Sequence, residues 1–259
     1  MEDQHAVYQL REKDFFSAEI YDGHGGKRAA QIAAESLTST FLHVWASDLE
    51  KPQVARRSQA ECLREAYGQA DKNIIDSGTE SGTTAATFYI IDGRFVAANV
   101  GDSRVIIGTK WGRCRALTVD HRPSLEDEKS RIEDLGGIIT WFGTPRVQGV
   151  LAVSRSLGDA NLKPFISSEP RITEGYLGKE NDYVVLACDG VWDVLSPEEV
   201  MSAVRAAKEP QPAAEKIKEM ALDSGSKDNI SVIVVDLRGY VMAAKQKSMK
   251  LMAVTDHSS

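Results

Sequence analysis

The chain has 259 residues, of which 42% are hydrophobic and 27% charged, as in an ordinary globular protein. Its net charge of -7 argues against a nucleic-acid partner, because such proteins carry a basic surplus or a basic face. No apolar run approaches the roughly 20 residues that cross a bilayer, and residues 1–10 lack the features of a secretory signal. The three cysteines are scattered along the chain, so they form neither a disulfide framework nor a zinc-binding motif. We therefore expect an intracellular protein, cytoplasmic and/or nuclear, without a membrane partner.

The first third of the chain predicts one strand followed by two helices. Residues 15–21 form a short apolar run that stops at Asp22-Gly23, which is typical of a strand and its turn. Apolar side chains at helical spacing then predict helices over residues 27–45 and 59–75.

The middle of the chain changes from helical spacing to a period of two. We predict strands here over residues 84–91, 95–100, 104–108 and 114–119. Asp92-Gly93 is a strong hairpin signal between the first two of them. A helix is expected over residues 126–135, and residues 141–170 are expected to form long loops with a short strand or helical piece.

The last part of the chain predicts a strand over residues 183–188, two helices and a final strand. Ser196-Pro197 with Glu199 is typical of a helix start. The remaining elements are expected over residues 198–207, 213–222 and 230–237. Because helices and strands do not alternate one by one, we predict an α+β fold: a two-layer antiparallel β-sandwich flanked by helix pairs. Residues 1–237 would form one domain, and residues 238–259 a tail outside its core.

Three aspartates give the clearest chemical signal in the sequence. Asp22, Asp189 and Asp228 each close or precede a strand-like run and are followed by glycine or asparagine. Carboxylates gathered at one sheet edge suit hard divalent cations such as magnesium and manganese. Two adjacent metals that share carboxylates can activate water for attack on a phosphoryl group. The residues therefore predict a metal-dependent phosphohydrolase.

Nine short motifs, three of which contain these aspartates, follow one another along most of the chain. They occupy residues 1–3, 21–26, 81–85, 99–104, 120–123, 131–137, 151–159, 188–193 and 228–230. As an ordered set they resemble the metal-dependent serine/threonine protein phosphatases of type 2C. The resemblance implies the same helix-flanked sandwich (α-β-β-α), with a binuclear centre at one end that holds two or three divalent cations, Mn or Mg.

The resemblance also implies roles for individual residues. The metal ligands would be Asp22 as the bridging carboxylate, Gly23 through its carbonyl oxygen, Asp189, Asp228 and Glu2. A weaker third ion would involve Asp120 and Asp193, and His24 would be the general acid. Supporting or substrate-contacting roles would fall to Asp3, Asp102, Asn229 and Arg155.

The implied reaction is hydrolysis of phosphoserine and phosphothreonine in phosphoprotein substrates, by a monomeric enzyme that uses a metal-activated hydroxide. One alternative is a catalytically impaired pseudophosphatase that acts as a binding or regulatory module. Another is a hydrolase of small phosphoesters on the same fold.

Two features depart from the family pattern. Family members usually carry a strand before the Met-Glu-Asp motif, with an arginine that holds the substrate phosphate, and this sequence begins at Met1 without either. We interpret the chain either as a fragment lacking its first strand or as one in which another cation, Arg155 or Arg146, grips the phosphate. Glu19 replaces a small apolar residue, and the period of two points it away from the face of Ile20.

Overall fold

The computed structural model describes residues 1–10, 15–91 and 93–240. Within them the strands are β1 (Gln4–Leu10), β2 (Phe15–Tyr21), β3 (Gly23–His24), β4 (Gly82–Thr83), β5 (Ala85–Ile91), β6 (Arg94–Val100), β7 (Arg104–Thr109), β8 (Cys114–Ala116), β9 (Ile139–Phe142), β10 (Thr144–Val147), β11 (Leu157–Gly158), β12 (Arg171–Tyr176), β13 (Asn181–Ala187) and β14 (Val232–Asp236). The helices are α1 (Arg28–Leu49), α2 (Gln59–Asp76), α3 (Glu126–Asp134), α4 (Asp189–Trp192), α5 (Pro197–Ala207) and α6 (Pro210–Asp223).

Two antiparallel sheets form the centre of the fold. One has the strand order β1-β2-β5-β6-β12 and the other has the order β14-β13-β7-β8. Side chains from both sheets meet in one buried cluster, which includes Phe88 and Ile90 from β5 and Leu186 from β13. The predicted two-layer sandwich is therefore confirmed.

Helix pairs cover the two outer faces. The residues of β2 alternate: Phe16, Ala18 and Ile20 face the opposite sheet, whereas Phe15 and Tyr21 pack against α1 and α2. On the other side, α5 and α6 pack against β13. Both faces of the central strands are buried, which explains their nearly continuous apolar sequences.

Capping residues set the starts of two helices. Ser58 and Glu61 form a reciprocal capping box at the start of α2, and Ser196 and Glu199 form one at the start of α5. Each box satisfies two backbone N–H groups that would otherwise lack partners. The helix start predicted at Ser196 is confirmed.

Several elements differ from the sequence predictions. The strands β1 and β12 were not predicted, and both are edge strands with many exposed positions. The strand predicted over residues 114–119 ends at Ala116. Asp189, predicted at the end of a strand, begins the short helix α4. The hairpin predicted at Asp92-Gly93 joins β5 to β6, but Asp92 lies outside the described residues; Gly93 has a φ of 76°.

The predicted tail begins within the described residues and extends beyond them. Arg238 pairs with Asp236, and Tyr240 packs on Phe16 with its ring centroid 5.7 Å away. Residues 241–259 lie outside the described part of the chain.

A small subdomain, residues 126–147, lies beside the sandwich and contains α3 and the β9–β10 hairpin. Its Ile132 and Val147 form a buried cluster with Ile166 that is separate from the three large clusters. Buried Glu128 of α3 forms ion pairs with Arg131 and Arg155. The pair with Arg155, together with the Arg131 hydrogen bonds to the carbonyl oxygens of Ser154 and Phe165, attaches the small subdomain to the adjoining loop.

Glu19 lies in a polar network between the five-stranded sheet and the first helix pair. It is fully buried and accepts hydrogen bonds from the hydroxyls of Tyr21, at 2.5 Å, and Thr38. Thr38 also contacts the hydroxyl of Tyr89, at 3.1 Å. Burial is the main cause that raises the pKa of Glu19 above its usual range, while the hydroxyl partners oppose the shift.

The variant Glu19→Gln should remove part of the pH dependence of stability. In the unfolded chain this carboxyl loses its proton at its ordinary pKa, whereas the folded protein holds the proton to higher pH. Its contribution to stability is therefore present at acidic pH and is lost as pH rises through the raised folded pKa. We expect the free energy of unfolding of Glu19→Gln, relative to wild type, to increase by about 1–3 kcal/mol between pH 5 and pH 8.

Urea unfolding of both proteins at the two pH values, without metal, measures this difference. Glu35→Gln, the same change at an exposed position of α1, is the control and should follow wild type. Parallel pH profiles for Glu19→Gln and wild type would contradict the prediction.

Candidate metal centre

Four segments bring acidic residues to one end of the sandwich. Asp22 follows β2 of the five-stranded sheet, while Asp189 follows β13 and Asp228 precedes β14 in the facing sheet. Glu2 and Asp3 precede β1. Facing sheets with strand ends on the same side place these residues together although they lie far apart in sequence.

The backbone around Asp22 is held by β4 and the residue after it. The Thr84 N–H and the Thr83 hydroxyl donate to the Asp22 carbonyl oxygen, at 2.9 and 3.1 Å. The Asp22 N–H donates to the Thr84 hydroxyl at 3.2 Å. These bonds fix the end of β2 and leave the Asp22 carboxylate to face the other acids.

Asp22 and Asp189 form the centre of the cluster. One carboxylate oxygen from each of them and the Cys188 sulfur all lie within 4.8 Å of one another. Burial raises the pKa of the Cys188 thiol, and its sulfur is already engaged, since it donates to the Asn229 carbonyl oxygen at 3.3 Å and accepts from the Ser231 N–H at 3.2 Å. The available donors are therefore oxygens, as hard divalent cations prefer.

The acids of the cluster repel one another. Burial, followed by the charges of Asp189 and Asp3, raises the pKa of Asp22, and burial also raises that of Asp189. Burial is likewise the main cause that raises the pKa of Asp102 to about 7. The Asp3 Oδ1 atom is buried and has no hydrogen-bond partner among the described residues. A divalent cation would relieve both the repulsion and the missing contact, so these residues fit a metal centre.

Two glycines allow the segments to approach. A Cβ atom on Gly23 would lie 2.7 Å from the carbonyl oxygen of Glu2, and one on Gly190 would lie 2.0 Å from that of Asn229. The Glu2 N–H donates to the Asn229 side-chain oxygen at 3.0 Å. The amino-terminal segment, α4 and the segment before β14 are thus joined directly.

Asp228 lies at the rim of the centre. It is exposed and borders an open cavity of about 380 Å³ that Asp189 and Asp193 also line. The Asn229 N–H donates to the Asp228 Oδ1 atom at 2.7 Å, which orients the carboxylate. Asp228 is thus close to Asp189 but outside the most buried part of the cluster.

The two aspartates predicted for a third ion both contact arginines. Arg104 donates twice to Asp120, with Nε 2.9 Å from Oδ1. Arg122 donates to Asp193, and its Nε lies 3.2 Å from Asp102 Oδ2. The arginines thus occupy oxygens that a third ion would need.

The two arginines predicted to grip phosphate point elsewhere. Arg155 pairs with Glu128, with its Nε at 2.9 Å, and donates to the Glu169 carbonyl oxygen at 2.7 Å. Arg146 donates to the Val150 carbonyl oxygen at 2.6 Å. Arg122, which the sequence analysis did not single out, is a cation beside the acid cluster, and 36% of its side chain is exposed.

His24 lies next to Asp22-Gly23 and pairs with an acid from a distant loop. Its Nε2 atom is 2.8 and 3.0 Å from the two carboxylate oxygens of Asp159. His24 borders a second cavity, of about 390 Å³, together with Glu80, Val150 and Leu151. Asp159 belongs to the motif over residues 151–159, but nothing in the sequence predicts its contact with His24.

Comparison with known proteins identifies the family. A model described as Protein phosphatase 2C matches residues 1–230. Probable protein phosphatase 2C member 13, mitochondrial, of Oryza sativa subsp. japonica is 39% identical over 220 residues, which cover 83% of this chain and 58% of that protein. Probable protein phosphatase 2C 76 of Arabidopsis thaliana is 40% identical over 223 residues, covering 85% and 51%. The chain belongs to the protein phosphatase 2C family, whose members are metal-dependent.

Solved structures agree with this assignment. The structure of a C. elegans sex determining protein superposes with a TM-score of 0.82 at 30% identity, covering 92% of this chain and 61% of that one. A serine-threonine phosphatase 2C from Toxoplasma gondii shows the shared fold, with 21% identity and a TM-score of 0.79; the match covers 91% of this chain and 90% of that one.

The chain spans only about half the length of several relatives, 58% and 43% for two rice proteins. Among the described residues, no helix is both long and apolar enough to cross a membrane.

Proposed function

We propose that this protein hydrolyses phosphoserine and phosphothreonine monoesters in proteins, with divalent metal ions at the Asp22–Asp189 centre. The observation that carries the proposal is the convergence of Asp22, Asp189 and Asp3 from three segments into one partly buried, mutually repelling cluster. Family membership supports the same reaction class.

The residues that would hold the ions are Asp22, Asp189, Asp228, Glu2 and Gly23, the last through its carbonyl oxygen. When bound, the ions would activate a water molecule and neutralise the phosphoryl oxygens. Asp3 and Asn229 hold the amino-terminal segment in place, through the Ser231 hydroxyl at 2.7 Å and the Glu2 N–H at 3.0 Å. We propose manganese or magnesium as the metal, and two ions rather than three, because Arg104 and Arg122 engage Asp120 and Asp193.

His24 is the proposed general acid, and Arg122 the proposed phosphate contact. The imidazole directly follows two proposed ligands and is partly exposed beside a cavity. From there it can donate a proton to the leaving seryl or threonyl oxygen. Arg122 pairs with Asp102 and Asp193 beside the cluster, whereas Arg155 and Arg146 donate to carbonyl oxygens of Glu169 and Val150.

Metal removal tests the proposal directly. Dialysis against EDTA should lower hydrolysis of a phosphoserine peptide at least about 100-fold, because the carboxylates alone cannot activate water. Manganese should restore the activity, and calorimetry should give about two ions per chain. Circular dichroism with and without EDTA controls for unfolding. Full activity in the chelator would refute the metal mechanism.

Substrate comparison addresses the alternatives. A phosphoserine peptide should be hydrolysed faster than a nucleoside monophosphate, and the reverse order would favour a hydrolase of small phosphoesters. Binding of the phosphopeptide and manganese without turnover would identify a pseudophosphatase, which nothing in the comparisons favours. A single domain over residues 1–237, a monomeric state and a cytoplasmic or nuclear location remain part of this proposal.

A further inference from the structure

A three-stranded sheet, β11-β4-β3, brings His24 and Asp159 together. His24 of β3 lies opposite Gly82 of β4, which in turn lies opposite Gly158 of β11. Asp159 follows β11 directly, so its carboxylate reaches back across β4 to the imidazole. The pairing of these three strands therefore sets the distance between His24 and Asp159, which is the first residue beyond β11.

The space between the two side chains exists because residue 82 is glycine. A Cβ atom on Gly82 would lie 2.1 Å from Asp159 Oδ2 and 2.4 Å from His24 Nε2. Any other residue would push the pair apart, since those distances are far below ordinary contact. The imidazole and the carboxylate thus meet directly over the backbone of β4.

Asp159 is held in place by contacts other than the one with His24. It is buried, with 7% exposed, and the Ser156 hydroxyl donates to its Oδ2 atom. Its φ of 52° is in the left-handed region, which aspartate and asparagine adopt more readily than other residues with a side chain. Asp71 anchors the same segment by accepting from the Gly158 N–H at 2.8 Å and from Lys163 at 3.0 Å.

We infer that Asp159 is a positioning residue that fixes the tautomer and the orientation of His24. A carboxylate only accepts hydrogen bonds, so the Nε2 atom of His24 must carry a hydrogen and donate it to Asp159. The Nδ1 atom is then the one that exchanges a proton with a substrate. In hydrolases of other folds, an acid beside a catalytic histidine likewise holds the imidazole in one tautomer and orientation.

The inference rests on the proposed function of His24 as the general acid. In the acid step, the oxygen of the attacking water forms a new bond to phosphorus as the P–O bond to the leaving oxygen breaks, and the electrons of the broken bond stay on the leaving oxygen. The Nδ1 proton of the imidazolium passes to the oxygen, and the product is a seryl or threonyl hydroxyl. His24 is left neutral with its Nε2–H still donated to Asp159, and Asp159 keeps its charge throughout.

The variant Asp159→Asn tests the inference through the leaving group. We expect kcat for a phosphoserine peptide to fall about 10–100-fold, because its alkoxide leaves only with a proton. For p-nitrophenyl phosphate, whose leaving group is stable without a proton, kcat should fall less than about 3-fold. In a His24→Gln background, Asp159→Asn should cause no further loss on the peptide, since the two residues act as one unit.

Asp71→Asn is the matched control, because it loosens the same segment without touching His24. Because Asp71 can act on His24 only through this segment, its loss on the phosphoserine peptide relative to p-nitrophenyl phosphate should be smaller than that of Asp159→Asn. Equal losses on both substrates for Asp159→Asn, or a further loss in the His24→Gln background, would overturn the inference and leave a structural role. Wild-type protein that hydrolyses neither substrate would instead contradict the proposed function.

The tautomer of His24 can be measured without an activity assay. Long-range ¹H–¹⁵N spectra of metal-free protein with labelled histidine, assigned with His24→Gln, should show neutral His24 protonated at Nε2. Asp159→Asn should shift the population towards Nδ1 protonation, because the amide can donate to Nε2. An unchanged tautomer in the variant would overturn the inference.

Discussion

Replacing Asp22 by asparagine should lower phosphatase activity by at least about 10³-fold while leaving the metal-free protein as stable as wild type, or more stable. The loss of activity follows because Asp22 is the proposed carboxylate between the ions, and a neutral amide is a weaker ligand. The stability effect follows because burial and Asp189 raise the pKa of Asp22. At neutral pH the folded, metal-free protein therefore holds a proton on Asp22 that the unfolded chain has released, and asparagine removes this cost of about 1–2 kcal/mol.

Thermal unfolding in EDTA and in manganese measures both effects. Wild type should gain stability with manganese, by about 2.7 kcal/mol at 100 times the dissociation constant, and Asp22→Asn should gain little. Asp76→Asn, the same change in an exposed ion pair with Lys72, should behave as wild type in both solutions. An Asp22→Asn variant that retains its activity and its response to manganese would show that Asp22 is not a metal ligand.

Replacing Gly190 by alanine should damage both stability and metal binding. The new methyl group would lie 2.0 Å from the Asn229 carbonyl oxygen, which is backbone and cannot rotate away. The clash must separate α4 from the segment that carries Asp228, and Asp189 and Asp228 would then no longer be held at their native separation. We expect a loss of about 2–4 kcal/mol in stability and at least a 10-fold weaker affinity for manganese.

The matched control for this variant is Gly68→Ala. Gly68 lies within α2, and apart from its chain neighbours and the backbone of its own helix no described heavy atom lies within 4 Å of the position a Cβ atom would take. There alanine should stabilise the protein by about 0.5–1 kcal/mol through helix propensity. Chemical unfolding and manganese calorimetry on both variants separate a general effect of alanine from the specific clash. Native manganese affinity in Gly190→Ala would contradict the predicted separation.

The buried elements of this fold could be predicted from the sequence, and the edges could not. Central strands such as β5 and β13 contribute to clusters on both sides and therefore read as unbroken apolar runs. The edge strands β1 and β12 pair on one side only and carry exposed residues such as Val7 and Tyr176. Their sequences contain no apolar period that distinguishes them from loops.

Some features of the candidate site could likewise be predicted from the sequence, and others could not. Acidic residues at strand ends, such as Asp22 and Asp189, have a local sequence signature because a strand stops where they stand. Contacts between remote polar residues, such as Arg122 with Asp193 and Asp159 with His24, have none, because strand pairing and loop paths bring them together. These contacts therefore become visible only in the folded protein.

The small subdomain, with its own cluster of Ile132, Val147 and Ile166, has a consequence for how this protein can diverge from its relatives. Substitutions on its outer surface, including the exposed Trp141 and Phe142, do not disturb the packing of the sandwich that fixes the acids. Natural selection can therefore remodel this surface freely while the reaction chemistry stays constant. A lineage can acquire new targets here without having to rebuild its catalyst.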